Sequence, residues 1–266
     1  MRTVAFLAFH PTGLSVLLST QNPGLHMRSL INPLAALLLI GSTLSARTET
    51  AATPAAAVMQ RATQLLQDEK VADAEKQFAE YYSTFPEPEK KEAVQASLKA
   101  AVALVAEQLD RQGLTLESSR RLDDAKAVFE KGLRLREQVF GKDYTGVAIS
   151  LNNIGLILLD QAKYDAAEPI LRDAISLREK LQGPNTGDLV APLATLGGVL
   201  ASEKRFNEAE AAFQKALTIS RSVGGSARER AIVLRNLATL YSTEGKTDQA
   251  QSALLEASKL QSQTPR

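Results

Sequence analysis

Asn153 and Asn236 carry amides that both donate and accept hydrogen bonds, which is what holding a peptide backbone requires. Arg111 and Arg235 carry planar forks that match a carboxylate. Residues for covalent or metal chemistry are almost missing. The chain of 266 residues has no Cys, and its two histidines, His10 and His26, both stand near its start. With no Cys, thiol nucleophiles and disulfide frameworks lack their parts. Removal of the leader described below would take both histidines, and with them Ser-His-Asp triads and Cys/His zinc sites. Carboxylate pairs such as Asp123/Asp124 and Glu208/Glu210 fall on helix ends or polar faces, where neighbouring acids are solvated. No glycine-rich phosphate loop is present, and Gly224-Gly225-Ser226 reads as a turn between helices. Catalysis, a metal and a cofactor are not expected, and the chemistry on offer is reversible binding.

Charge narrows the partner. With 31 basic and 30 acidic residues, the net charge of +1 leaves no footprint for nucleic acid and no polybasic membrane anchor. A hydrophobic fraction of 44% with 23% charged residues is that of a folded globular chain.

The first segment reads as a leader. Residues 1–46 hold Arg2 and Arg28 but no acid. From Met27 a basic start, an apolar run from Leu30 to Gly41 and the exit Ser42-Thr43-Leu44-Ser45-Ala46 give the layout of a secretory signal peptide. The run is too short to span a membrane, which takes about 20 apolar residues. Residues 27–46 are thus expected to be a signal peptide and residues 1–26 an upstream extension or part of the export signal. Residues 47–57 would be a Thr/Ala-rich tether. Removing residues 1–46 leaves 29 basic against 30 acidic residues, so an exported, periplasmic or secreted product would carry −1. No membrane span is expected after that cleavage.

Residues 58–262 carry an internal repeat. Leu133 to Gly141 align with Ile175 to Gly183 at an offset of 42, and 42 further with Leu217 to Gly225. Each unit has three small residues, the second twelve and the third nineteen after the first. These are Gly113, Ala125, Gly132; Gly155, Ala167, Ala174; Gly197, Ala209, Ala216; and Ala238, Ala250, Ala257. Leu109, Leu151, Leu193 and Leu234 stand four before the first, and Phe129, Leu171, Phe213 and Leu254 four after the second. Apolar residues recur at three- and four-residue steps on both sides of a polar break, so each unit is two helices. Asp123, Asp165, Asn207 and Asp248 fall where the second helix begins and suit a cap or its positive end. Gly141, Gly183 and Gly225 would end it. Neither helix buries its apolar face alone, so the units must stack into an all-α solenoid.

These columns resemble the tetratricopeptide repeat, in the 42-residue spacing of kinesin light chains and related bacterial repeat proteins. Val147 to Gly155 followed by Tyr164 to Leu171 carries the pattern most fully. The resemblance implies a right-handed α-α superhelix with four clear helix-turn-helix units over about residues 105–262. A fifth, degenerate unit precedes them at 55–82, where Val58, Ala62, Val71, Ala74 and Phe78 keep the offsets and Tyr81 replaces the third small residue. A longer helix from about Lys90 to Leu116 absorbs its extra spacing, and the Gln- and Ser-rich last helix suits a solvent-facing cap.

The resemblance also implies a peptide or partner helix bound on the concave face, lined by the first helix of each unit. That face is the side turned away from the second helix, two and three residues before the first small residue and one and four after it. It selects Asp110, Arg111, Leu114 and Glu117; Asn152, Asn153, Leu156 and Leu159; Ala194, Thr195, Gly198 and Ala201; Arg235, Asn236, Thr239 and Ser242. The partner-binding candidates are Arg111, Asn152, Asn153, Leu156, Thr195, Arg235, Asn236 and Thr239. Small residues in the third unit would leave a hollow for a partner side chain, or be small only for packing. The family's clamp for chaperone C-terminal carboxylates is not expected: Asp110, Leu114, Asn153, Ala191 and Thr195 hold its places and only Asn153 suits it. The leading expectation is an exported protein-protein interaction scaffold. The alternative is a structural subunit of an envelope complex acting through outer or terminal faces, with a carboxylate-only hydrolase last.

Overall fold

The computed structural model of the protein describes residues 54–262. The upstream extension, the signal peptide and most of the tether lie outside the described residues. Ten α-helices run in order among those described: α1 (Pro54–Gln67), α2 (Val71–Tyr81), α3 (Glu89–Ser118), α4 (Leu122–Phe140), α5 (Thr145–Asp160), α6 (Tyr164–Gln182), α7 (Val190–Ser202), α8 (Phe206–Ser222), α9 (Ala227–Thr243) and α10 (Thr247–Ser262). A single 3-10 turn, Gly187–Leu189, leads into α7. The helices pair antiparallel as α1/α2, α3/α4, α5/α6, α7/α8 and α9/α10, and each pair from α3/α4 onward stacks on the next. The tether ends sooner than expected. Pro54 to Ala57 already form the start of α1, with proline in the first turn where its missing N–H costs nothing.

Close packing sets the small-residue columns. A Cβ on Gly113 would lie 2.5 Å from the Phe129 ring, one on Gly155 2.5 Å from Leu171, and one on Gly197 2.7 Å from the Phe213 ring. Each first helix thus yields the volume that the large residue of its second helix fills. Phe129, Leu171 and Phe213 are all but completely buried. One apolar core runs through the units from Ala125 to Ala257.

Each hairpin turn repeats one backbone motif. Glu69, Arg120, Ala162, Lys204 and Gly245 all take positive φ, from 57° to 77°. The next residue sends its N–H back to a carbonyl five earlier, as Lys163 to Leu158 at 2.8 Å and Arg205 to Leu200 at 2.9 Å. These bonds satisfy carbonyls that the first helix leaves open at its end. The acidic column then falls inside the first turn of the second helix. Asp123 and Asp165 make no cap bond, and they act on the helix dipole instead. Ser226 is a true cap, its hydroxyl oxygen accepting the Glu229 N–H at 3.1 Å.

Between units, Gly141 and Gly183 take φ of 82° and 90° and end α4 and α6 as expected. The third such glycine is Gly224, not Gly225. The third unit is one residue short, since Gly197 and Ala238 are 41 apart, and the terminator shifts with it. Gly225 serves close approach, because a Cβ there would meet Ser220 Oγ at 2.5 Å.

The first unit departs from the rest. Helix α2 has 11 residues against 17 to 19 for α4, α6 and α8, and it stops where Tyr81 replaces a small residue. Tyr82 turns inward, fully buried, with its hydroxyl 3.1 Å from Ser97 Oγ. Helix α3 is longer than expected at 30 residues, and its first half covers α1 and α2.

Buried arginines tie units together. Arg136 of α4 donates to both carboxylate oxygens of Asp110 on α3, at 3.1 and 2.5 Å, and to Ser150 Oγ on α5 at 2.6 Å. Arg178, one repeat later, is equally buried and reaches Asp188 of the 3-10 turn at 2.7 Å.

Candidate interaction face

The first helices of successive units stand side by side, and each turns one line of residues away from its second helix. A helix repeats its face at steps of three and four, so that line is six and two residues before the small residue and one and five after it. In α3 it is Glu107, Arg111, Leu114 and Ser118; in α5 it is Ile149, Asn153, Leu156 and Asp160. In α7 it is Ala191, Thr195, Gly198 and Ser202; in α9 it is Ile232, Asn236, Thr239 and Thr243. All sixteen are exposed or half-buried, whereas the residues between them on the same helices are mostly buried.

Of the candidates, Arg111, Asn153, Leu156, Thr195, Asn236 and Thr239 lie on this line. The positions three before and four after do not. They lean toward the neighbouring helices: Asp110 is spent on Arg136 of its own unit, Ala194 is buried, and Leu159 presses on Gly198 of the following unit, whose added Cβ would come within 3.1 Å of it. Asn152 lies at such a position, with its Oδ1 3.5 Å from Thr195 Oγ1 of the next unit. Arg235 and Ser242 occupy the same positions in α9 and are exposed, because no described first helix follows. Beside Gly198 the space expected as a hollow is taken by Leu159 of the preceding unit. Sequence reasoning missed Ile149, Ile232 and Asp160. The two isoleucines keep the apolar step of the core and yet are about 40% exposed, so periodicity alone counted them as buried.

Hydroxyls on this face are turned inward to their own helices. Thr195 donates to the Ala191 carbonyl at 3.0 Å, Ser202 to Gly198 at 2.9 Å, Thr239 to Arg235 at 3.0 Å and Thr243 to Thr239 at 2.9 Å. What they present outward is oxygen lone pairs. The Asn153 and Asn236 side chains make no hydrogen bond among the described residues. Charge appears at the α3 side, where Arg111 pairs with Glu107 at 3.8 Å and Asp160 accepts from Arg120 at 3.1 Å. Burial raises the Glu117 carboxyl above the usual value; Asp160 adds to this and Arg120 opposes it.

Elsewhere the acids serve the stack. Glu208 binds Arg205 at 2.8 Å, Glu210 accepts from the Tyr241 hydroxyl at 2.8 Å, and Asp123 accepts from Gln161 at 2.8 Å. Among the described residues no group of three or more His, Cys, Asp or Glu could hold a metal ion, and no helix is long and apolar enough to cross a membrane. An open crevice of about 420 Å³ lies between α8, α9 and α10, bridged by Arg221 and Glu256 at 2.8 Å, away from the candidate residues.

A family model described as tetratricopeptide repeat matches residues 100–180 and 189–263. No curated protein matches the chain. Among solved structures, BtubC (BKLC) from P. vanneervenii is similar at 16% identity over 79% of this chain and 93% of that one, with a TM-score of 0.53. The nearly identical TPR-like repeats of a putative kinesin light chain from Podosopora anserina align at 14% identity over 79% and 96%, with a TM-score of 0.45. MamA 41-end from Desulfovibrio magneticus RS-1 aligns at 17% over 81% and 100%, with a TM-score of 0.44. At these identities the first likeness speaks for the fold, an all-α right-handed superhelix.

Proposed function

The chain belongs to the tetratricopeptide repeat family, and from that premise we propose that it is an exported scaffold binding a segment of a protein partner along the inner face of its first helices. The observation that carries this reading is the uncommitted line across α3, α5, α7 and α9. Its amides have no internal partner, and Leu114, Ile149 and Ile232 stay exposed there. A preformed face of this kind binds with little ordering cost to the scaffold. Replacing Asn153 and Asn236 together by Ala should weaken partner capture from a native extract, with helicity by circular dichroism unchanged. Capture indifferent to both changes removes the inner face as the site.

Export rests on the layout of residues 27–46, basic, apolar and then small. Mass spectrometry of the protein from its native host should find a mature N-terminus near Ala46, and a chain beginning at Met1 or Met27 would overturn export by this route.

One observation favours a second reading, a structural subunit acting through a terminal face. The last helix is less polar outside than its Gln and Ser content suggests. Leu254 holds the register of Phe129, Leu171 and Phe213 yet is 48% exposed, and its neighbour Leu255 is 58% exposed. Light scattering on the purified protein separates the readings, since assembly through α10 requires a concentration-dependent mass that Leu255→Lys abolishes.

A further inference from the structure

Burial explains why α5 and α7 are apolar where they touch their neighbours; it does not explain the composition of their exposed line. In a chain with 23% charged residues, the line across α5, α7 and α9 carries a single charge, Asp160, and Arg120 already pairs with it at 3.1 Å. Helix α7 has no charged residue at all. The second helices do the opposite and place Arg172, Glu179, Lys180 and Lys215 in surface ion pairs. Charge is sorted away from the inner face of three consecutive units.

We infer that the occupant of this face is an uncharged segment, amide- and hydroxyl-bearing with apolar side chains between; the inference rests on the inner-face reading above. Lone pairs on Thr195, Ser202, Thr239 and Thr243 face outward with their protons already given to helix carbonyls. They accept from backbone N–H and side-chain amides. Asn153 and Asn236 supply donors for the segment's carbonyls, and Ile149 and Ile232 supply apolar contact. A charged side chain laid here would lose its water and find no unpaired opposite charge along the line of α5, α7 and α9, so the face rejects charged segments as well as accepting neutral ones. Binding without ion pairs is also insensitive to salt.

The test pans the full-length protein against phage-displayed random peptides about 9 residues long, which at ~3.3 Å per residue cross the three helices α5, α7 and α9 spaced ~10 Å apart. Selected peptides should be depleted in Asp, Glu, Lys and Arg by at least about threefold against the input library. Their affinity should change by less than about twofold between roughly 50 and 500 mM salt. Thr195→Arg, which plants a cation at the centre of the line, should weaken them by about tenfold or more while circular dichroism is unchanged. Peptides that lose binding with Thr195→Arg yet keep or gain charge overturn the neutral-segment inference and leave the inner face as the site. Peptides indifferent to Thr195→Arg, or no enrichment at all, overturn both.

Discussion

At the scale of the residue, the account turns on pairs that only packing reveals. Asp110 looks free on the first helix, but it closes a nearly dry ion pair with Arg136, whose second partner is Ser150. Removing one partner of a buried pair strands the other, so Asp110→Ala should cost about 3–5 kcal/mol in a urea melt. A loss under ~1 kcal/mol would mean the pair behaves as a surface bridge. A Cβ on Gly197 would lie 2.7 Å from the Phe213 ring, and Gly197→Ala should cost roughly 1–3 kcal/mol. Adding Phe213→Leu should restore part of that loss, because Ala238 and Leu254 already form that combination one unit later. Additive losses in the double variant would disprove the proposed fit. The small and large columns were legible in the sequence because steric exclusion repeats at every unit. The arginine column was not: Arg136 and Arg178 align visibly, but nothing in a sequence says that a guanidinium is buried.

At the scale of the element, the hairpin turns and the links between units carry the testable load. Ala162 sits at φ 57°, a region that disfavours any Cβ, so Ala162→Gly should raise stability by up to ~1 kcal/mol net of the added unfolded-state entropy. Unchanged or lowered stability would show that the turn is not strained. Hydrogen bonds from Arg205 hold the Glu168 carboxyl below its ordinary 4.5, and those from Arg134 do the same for Glu69. A carboxyl lowered on folding binds its proton more readily in the unfolded chain. Its stabilisation is therefore complete above pH 4.5 and is lost as pH falls through the folded value. Thermal midpoints should hold steady above that pH and fall below it, with a shallower acid limb for Glu168→Gln. An acid limb unaltered by that substitution would contradict the assignment. Helix order and both helices of each full unit were legible from the three- and four-residue steps. The exit glycine of α8 was missed because the third unit is one residue short, and a column read at a fixed 42 lands on Gly225 instead of Gly224.

At the scale of the whole molecule, stacking decides which positions remain free. The sequence-derived face took in two positions that lie on the open line and two that lean toward neighbouring helices, because a helix drawn alone has no neighbour. Asn153, Thr195 and Asn236 stay on the open line; Asn152 and Ala194 turn toward the following helix. Ile149 and Ile232 join the line although their periodicity matches the core, which places apolar contact beside the amides. The central claim is that this line holds a partner. A photo-crosslinking residue at Asn153 or Thr195, compared with one at the exposed outer position Ala211, tests it most directly in the native host. The account predicts a discrete adduct from positions 153 and 195 and none from 211, whereas adducts from 211 alone would place the partner on the outer face and contradict it.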